Sequence, residues 1–94
     1  MDFEWDPDKN AENIETHRVS FEDARLAWLD PHRVSRIDKK HSGSGEERHF
    51  LFGRVGGDVL TVRYTRRGAV VRIIGAGYWR DGRDVYEQAN AFRR

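Results

Sequence analysis

The chain has 94 residues, which predicts one domain over residues 1–94 with a single hydrophobic core. It contains no cysteine, and this excludes disulfides, thiolate nucleophiles and zinc sites built on sulfur. No apolar run reaches the roughly 20 residues of a membrane span, and the acidic N-terminus lacks the basic and apolar zones of a signal peptide. We therefore expect a cytoplasmic protein with no membrane partner.

The net charge of +1 conceals a separation along the chain. Residues 1–31 hold nine acidic and three basic side chains, a net charge of −6, whereas residues 32–94 hold seven acidic and fourteen basic ones, a net charge of +7. This asymmetry favours a basic working face and a separate acidic surface, although the charges of a short chain also segregate by chance.

The N-terminal residues predict a short strand followed by a helix. Polar and apolar residues alternate over residues 2–5, which is typical of a strand. Asp6 and Pro7 then supply an N-cap and a proline for the first turn of a helix. This helix is expected to end near His17 and to bury Ala11 and Ile14.

A second helix is expected to begin after Ser20, an N-cap residue with Asp23 three positions later. It should end at Asp30 and Pro31. Residues at helical spacing form its expected apolar face: Phe21, Ala24, Trp28 and Leu29.

Residues 33–76 predict a sheet. Four strands are expected over residues 33–38, 48–55, 59–65 and 69–76, with the polar loop "KKHSGSGEE" after the first and reversals at "GGD" and "RRG". Helical spacing then returns over residues 81–92, with Val85, Gln88, Ala89 and Phe92 on one side. The order β-α-α-β-β-β-β-α predicts an α+β fold, with helices packed on one face of an antiparallel sheet of four to five strands.

Several stretches together carry a resemblance to a known family. They are "FEWDPDKNAENIETHRVSFEDA", "EERHFLFG", "VRYTRRG" and "VRII", and the combination of W-D-P-x-K-x-x-x-N-x-x-x-H with S-F-E-D-A is specific. The chain resembles the BrnT toxins of bacterial type II toxin–antitoxin systems over nearly its whole length. The resemblance implies a RelE-like fold and metal-independent RNA cleavage without a cofactor. It also implies neutralisation by a small BrnA-like antitoxin, with a homodimer or a toxin–antitoxin hetero-oligomer as the assembly.

Metal-free RNA cleavage needs a base, an acid and cations for the charge on the phosphoryl oxygens. His17 is a candidate base or acid because imidazole titrates near neutral pH, although it could simply cap its helix. The resemblance favours Glu47 and Arg48 as a catalytic pair. His49 is a rival, but strand alternation predicts that Arg48 and His49 face opposite sides of the sheet.

Further cations and aromatic residues are candidates for RNA contacts. Arg72 interrupts an apolar strand and is a catalytic candidate, because a guanidinium matches phosphate oxygens in a bidentate way. For the arginines the alternative interpretation is an ordinary solvated strand face. For the aromatic residues it is packing at the corner between the sheet and the last helix. The predicted RNA-binding residues are Lys9, Arg66, Arg67, Tyr78, Trp79 and Arg80. The four histidines show no metal-ligand spacing such as H-x-x-x-H, so no metal is expected.

One segment departs from the family pattern. Typical members continue from R-I-I to Ser-Ala-Arg, whereas this chain has Gly75, Ala76 and Gly77.

The leading hypothesis from the resemblance is an endoribonuclease toxin that inhibits translation and growth. The alternative is a catalytically impaired module that keeps the antitoxin interface, and a third option is RNA binding without cleavage.

Overall fold

The computed structural model describes residues 1–43 and 45–92. In this part of the chain five strands and three α-helices form one α+β arrangement, as predicted. The elements in chain order are β1 Asp2–Glu4, α1 Pro7–His17, α2 Phe21–Ala24, a 3₁₀ segment Arg25–Leu29, β2 Val34–Ile37, β3 Arg48–Val55, β4 Asp58–Arg67, β5 Val70–Gly77 and α3 Arg80–Ala89. No helix in the described ranges is both long enough and apolar enough to cross a membrane.

The strands form one sheet in the order β1-β5-β4-β3-β2. Strands β2 to β5 make the expected antiparallel meander, but β1 pairs with β5 in parallel, with Glu4 opposite Arg72. The sheet is therefore mixed and not purely antiparallel. A parallel pair requires a long connection, and here everything between β1 and β5 supplies it.

The predicted starts of the first two helices are confirmed. The Asp6 side chain accepts a hydrogen bond from the Asp8 amide at 2.8 Å, and Ser20 Oγ accepts one from the Asp23 amide at 3.0 Å. Helix α1 ends at His17 as expected, because Arg18 takes a left-handed conformation with φ of 61°. The second predicted helix is α-helical only over α2, and it continues as the 3₁₀ segment.

Helices cover both faces of the sheet, so the expectation of one covered face was wrong. Along β4, Leu60, Val62 and Tyr64 point to what we call the first face, where α2 and the 3₁₀ segment pack. The intervening residues Val59, Thr61, Arg63 and Thr65 point to the second face. Helix α3 packs on that face through Val85 and Tyr86, against Phe52 and Val59.

Several residues expected in the core are exposed. Ala11 and Ile14 of α1 lie in solvent, and Ile14 is 42% exposed. Leu29 is 76% exposed and Phe92, which lies beyond the end of α3, is 98% exposed. Gln88 and Ala89 are also exposed, because α3 buries only Gly82 and Tyr86. Helix α3 packs on the sheet through Gly82, Val85 and Tyr86, so the rest of its surface faces solvent.

The buried residue of α1 is Asn13, and its side chain closes the edge of β5. The Asn13 Nδ2 donates to the carbonyls of Ala76 at 2.9 Å and Val19 at 2.8 Å, and its Oδ1 accepts from the Ala76 amide at 3.2 Å. Strand β1 pairs with β5 only as far as Arg72. The Asn13 amide therefore replaces a neighbouring strand where β1 has ended.

We expect Asn13→Ala to lower the free energy of unfolding by about 3 kcal/mol. The substitution leaves the Ala76 amide and two carbonyls buried without partners, and each such group is costly. Urea denaturation measures the change. Glu15→Ala, at an exposed position of the same helix, is the control and should stay within about 0.5 kcal/mol of the unmodified protein. Equal stability of the two variants would contradict the role of Asn13.

A second hydrogen-bond network centres on Asp30, which is partly buried. Its Oδ2 accepts from the Arg54 amide and from the Tyr86 hydroxyl, both at 2.7 Å, and its Oδ1 accepts from the His32 amide at 2.8 Å. Burial by itself raises the pKa of Asp30, but the hydrogen bonds from Arg54, Tyr86 and His32 outweigh it and hold the pKa below its ordinary value. The carboxylate thus ties the end of the 3₁₀ segment to β3 and α3.

Because the pKa of Asp30 is lowered by folding, its ionised form stabilises the protein above the unfolded-state value of about 3.9. This stabilisation is lost as the pH falls through the lower folded-state pKa. We expect Asp30→Asn to be less stable than the unmodified protein at pH 7 by about 1–3 kcal/mol, and less sensitive to acid. Urea denaturation at a series of pH values measures both effects, and parallel stability curves for the two proteins would refute this account.

Candidate nucleic-acid interface

The second face of the sheet is covered by α3 at one end and carries arginines at the other. Arg48, Thr65 and Arg72 lie opposite one another on β3, β4 and β5, and side chains in such a row share a face. The next row places Arg63 between Phe50 and Gly75, with Arg36 beyond Phe50 on β2. Arg67 lies opposite Val70 in a further row. We call the uncovered half the arginine face: Arg36, Arg48, Arg63, Arg67 and Arg72.

Two carboxylates neutralise part of this charge. Arg72 Nη1 donates to Glu4 Oε2 at 2.7 Å, and Arg63 Nη2 lies 3.9 Å from Asp38 Oδ2. Among the residues that the structure describes, Arg48 and Arg67 make no ion pair with a carboxylate. The arginine face therefore keeps a net positive charge, and its guanidinium groups are partly exposed, as phosphate binding requires.

The carboxylate of Asp38 is buried beside this face. Burial by itself raises its pKa, but a hydrogen bond from His41 and the charges of His41 and Arg63 more than offset this, so the pKa lies below its ordinary value. Asp38 is therefore ionised at neutral pH. Neither Asp38 nor His41 was predicted as a site residue, although the spacing D-x-x-H in a loop is a signal that could have indicated them.

His17 and Lys9 belong to α1 and lie at the edge of β5. They line a shallow cavity of about 270 Å³ together with Asn13 and Ile74. The His17 ring contacts the Trp79 ring edge to face, with 5.1 Å between centroids. A Cβ built on Gly77 would lie 2.6 Å from Trp79 Cε2, so the indole covers Gly77 on the second face.

An apolar cleft separates α3 from the arginine face. Its volume is about 590 Å³, and Phe50, Phe52, Trp79 and Val85 line it beside Arg36. Trp79 is 38% exposed, so part of its ring faces solvent. Aromatic surface next to guanidinium groups is suited to stacking an unpaired base.

The sequence of the chain matches the model of one known protein family. A family model described as the ribonuclease toxin BrnT of type II toxin–antitoxin systems matches residues 5–82. The chain belongs to the BrnT family. No curated protein matches the chain. Membership implies RNase activity, an RNA substrate and an antitoxin partner for this BrnT protein.

Some predicted site residues of this BrnT protein lie away from the arginine face. The carboxylate of Glu47 is 3.3 Å from His49 Nε2, and His49 stacks on Tyr64 of the first face. Arg66 also lies over the Tyr64 ring, 5.9 Å from its centroid. Alternation thus separates Arg48 from His49, as predicted, and it separates Arg48 from the Glu47 carboxylate as well.

The remaining predicted contacts are divided between two places. The Tyr78 hydroxyl donates to the Val55 carbonyl at 3.1 Å, beside the β3–β4 hairpin. Burial, followed by the charges of Asp58 and Asp23, raises the pKa of Tyr78. Arg80 is exposed at the first turn of α3. Tyr78 and Trp79 therefore point to different surfaces, and only Trp79 borders the apolar cleft.

The described ranges contain no group of three His, Cys, Asp or Glu side chains placed to hold a metal ion.

The predicted roles of the individual site residues stay predictions. Asn13 was missed as a structural residue, although it is the asparagine of the quoted motif W-D-P-x-K-x-x-x-N-x-x-x-H.

Gly75 and Gly77, in the segment that differs from the family pattern, have different surroundings. A Cβ on Gly75 would lie 3.8 Å from Arg63 Cδ, an ordinary contact, whereas one on Gly77 would collide with the Trp79 ring. Neither glycine has a positive φ. A Cβ fits at position 75, while Trp79 occupies the space that a side chain at position 77 would need.

We expect Gly75→Ala to keep the stability of the protein within about 0.5 kcal/mol and Gly77→Ala to cost about 1–3 kcal/mol, because the new methyl group must displace the indole. Urea denaturation gives the stabilities of this matched pair. A change in the NMR shifts of the Trp79 indole and the His17 ring in Gly77→Ala alone would show the displacement directly. Equal effects of the two substitutions would contradict the packing of Trp79 on Gly77.

Proposed function

We propose that this BrnT protein is a metal-independent endoribonuclease toxin that holds its RNA substrate across the arginine face. The observation that supports this best is the convergence of five arginines from four strands on one uncovered half of the sheet. A single strand of RNA presents a phosphate at each nucleotide, and planar guanidinium groups bind such oxygens in pairs. The toxin acts in the cytoplasm, where cleavage of RNA inhibits translation and growth, and a BrnA-like antitoxin neutralises it.

Arg48 and Arg72 are proposed to contact the scissile phosphate, because they flank Thr65 in one cross-strand row. Glu4 orients the Arg72 guanidinium through the 2.7 Å bond. Arg67, Lys9 and Trp79 extend the contacts to neighbouring nucleotides. His17 and Glu47 are the proton-transfer candidates that the sequence supplies.

We expect Arg72→Ala to lower the rate of RNA cleavage about 100-fold, because a charge-stabilising donor to the phosphoryl oxygens is lost. Gel analysis of a mixed-sequence single-stranded RNA, incubated with the purified protein in EDTA, measures the rate. Expression of the same variant in a bacterial host should relieve growth arrest. Arg66→Ala, whose side chain lies on the first face, is the within-chain contrast and should cost much less.

A folded protein that leaves RNA intact under all conditions would refute the nuclease proposal. If that protein still bound a BrnA-like antitoxin, it would be the impaired module that Gly75 and Gly77 suggest. RNA affinity that falls steeply with salt, without cleavage products, would instead indicate RNA binding alone.

A further inference from the structure

We propose that His41, oriented by Asp38, is the catalytic base of this nuclease and accepts the proton of the RNA 2′-hydroxyl at the end of the arginine face. This inference rests on the proposed function, since it assigns a proton-transfer group to the same site. It differs from the candidates that the sequence supplies, which are His17, Glu47 and, as a rival, His49.

The geometry of the pair fixes the orientation of the imidazole. Asp38 follows β2, and its side chain is only 6% exposed, whereas that of His41 is 52% exposed. Asp38 Oδ2 lies 2.9 Å from His41 Nδ1. An ionised carboxylate can only accept, so Nδ1 carries the proton in this bond. In the neutral form of the ring, which the proposed step requires, Nε2 is then an acceptor available to substrate.

The pair is attached to the strand that carries Arg48. The Asp38 amide donates to the Arg48 carbonyl at 2.8 Å, and this continues the β2–β3 pairing by one residue. Ser42 Oγ donates to the Asp38 carbonyl at 2.7 Å and accepts from the Arg48 amide at 2.9 Å. These bonds hold the loop that bears His41 against the start of β3.

His41 and Arg48 line the same cavity, which has a volume of about 390 Å³. Lys40, Ser42, Gly43 and Glu46 also line it. The charged groups around the imidazole are thus Asp38, Arg48, Lys40 and Glu46, with Arg63 reaching Asp38 from β4. A phosphate bound by Arg48 would lie in the cavity that the imidazole also borders.

In the described part of the chain, the other histidines near the site do not have both a buried carboxylate partner and a cavity shared with Arg48. His17 packs edge to face on Trp79, and among the described residues no carboxylate lies within salt-bridge distance of it. His49 has a carboxylate partner in Glu47, but its Nε2 makes that contact and its ring stacks on Tyr64. Only the His41 ring combines a buried carboxylate on one nitrogen with a cavity shared with the arginine face.

The proposed step is an internal transfer of the phosphoryl group. Nε2 of His41 takes the 2′-hydroxyl proton while O2′ forms a bond to phosphorus and the bond from phosphorus to O5′ breaks. The departing O5′ takes a proton from water, and the imidazolium later returns its proton to solvent. The products are a 2′,3′-cyclic phosphate and a 5′-hydroxyl, so no oxidant, metal or other reactant is consumed. Arg48 and Arg72 stabilise the charge on the phosphoryl oxygens during the transfer.

The first test compares His41→Ala with His32→Ala, an exposed histidine that is not part of the site. On a mixed-sequence single-stranded RNA we expect His41→Ala to lower kcat by about 10²- to 10⁴-fold and His32→Ala to leave it unchanged. Added imidazole should restore part of the activity of His41→Ala. Rate measurements across pH should show a loss of activity in acid for the unmodified protein that is absent from His41→Ala.

The second test concerns Asp38 as a positioning residue. Asp38→Asn keeps an acceptor for Nδ1 but loses the charge, so kcat should fall while KM stays unchanged. Urea denaturation checks that Asp38→Asn is folded. If Asp38→Asn does not fold, His41→Ala, which changes an exposed side chain, still tests the proposal.

The outcomes separate this inference from the proposed function. Full activity of His41→Ala, together with inactive Arg72→Ala, would overturn the inference and leave the nuclease proposal standing. A low rate in His41→Ala that imidazole does not raise, with an unaltered pH profile, would also overturn the inference. RNA left intact by the unmodified protein would overturn both.

Discussion

The side-chain amide of Asn13 is the contact on which the site's geometry depends. It takes the place of a strand along β5 beyond the point where β1 ends, and it joins α1 to the sheet by its edge rather than by an apolar stripe. This explains why Ala11 and Ile14 face solvent. The same attachment brings the end of α1 to Trp79, so that His17 packs on the indole and lines a cavity with Lys9 at the edge of β5.

The second constraint is the position of α3, which leaves half of the second face open. Gly82 lies against Thr61, where a Cβ would collide with the Thr61 hydroxyl, and Tyr86 donates to Asp30. These contacts hold the helix over Phe52 and Val59. The arginines in the rows beyond them are therefore left without a covering layer, and their charge is directed toward solvent.

Local patterns predicted the parts of the fold that local interactions decide. The caps at Asp6 and Ser20 depend on neighbours two or three residues away, and both were predicted correctly. The parallel pairing of β1 and the burial of Asn13 depend on partners more than 60 residues distant, which spacing does not reveal. In the site, alternation correctly separated Arg48 from His49. It gave no indication of the Asp38–His41 pair, because a loop has no period from which the direction of a side chain can be inferred.

The Trp79 ring over Gly77 exchanges a cation for an aromatic surface at the end of β5. Binding through cations gains free energy from the counterions that leave the phosphates, whereas stacking releases none. For RNA bound as proposed, part of the affinity would then depend on which bases are unpaired and able to stack rather than on ionic strength. Under the proposed function, recognition at this position would then depend on the base, which differs between RNAs, rather than on the backbone, which does not.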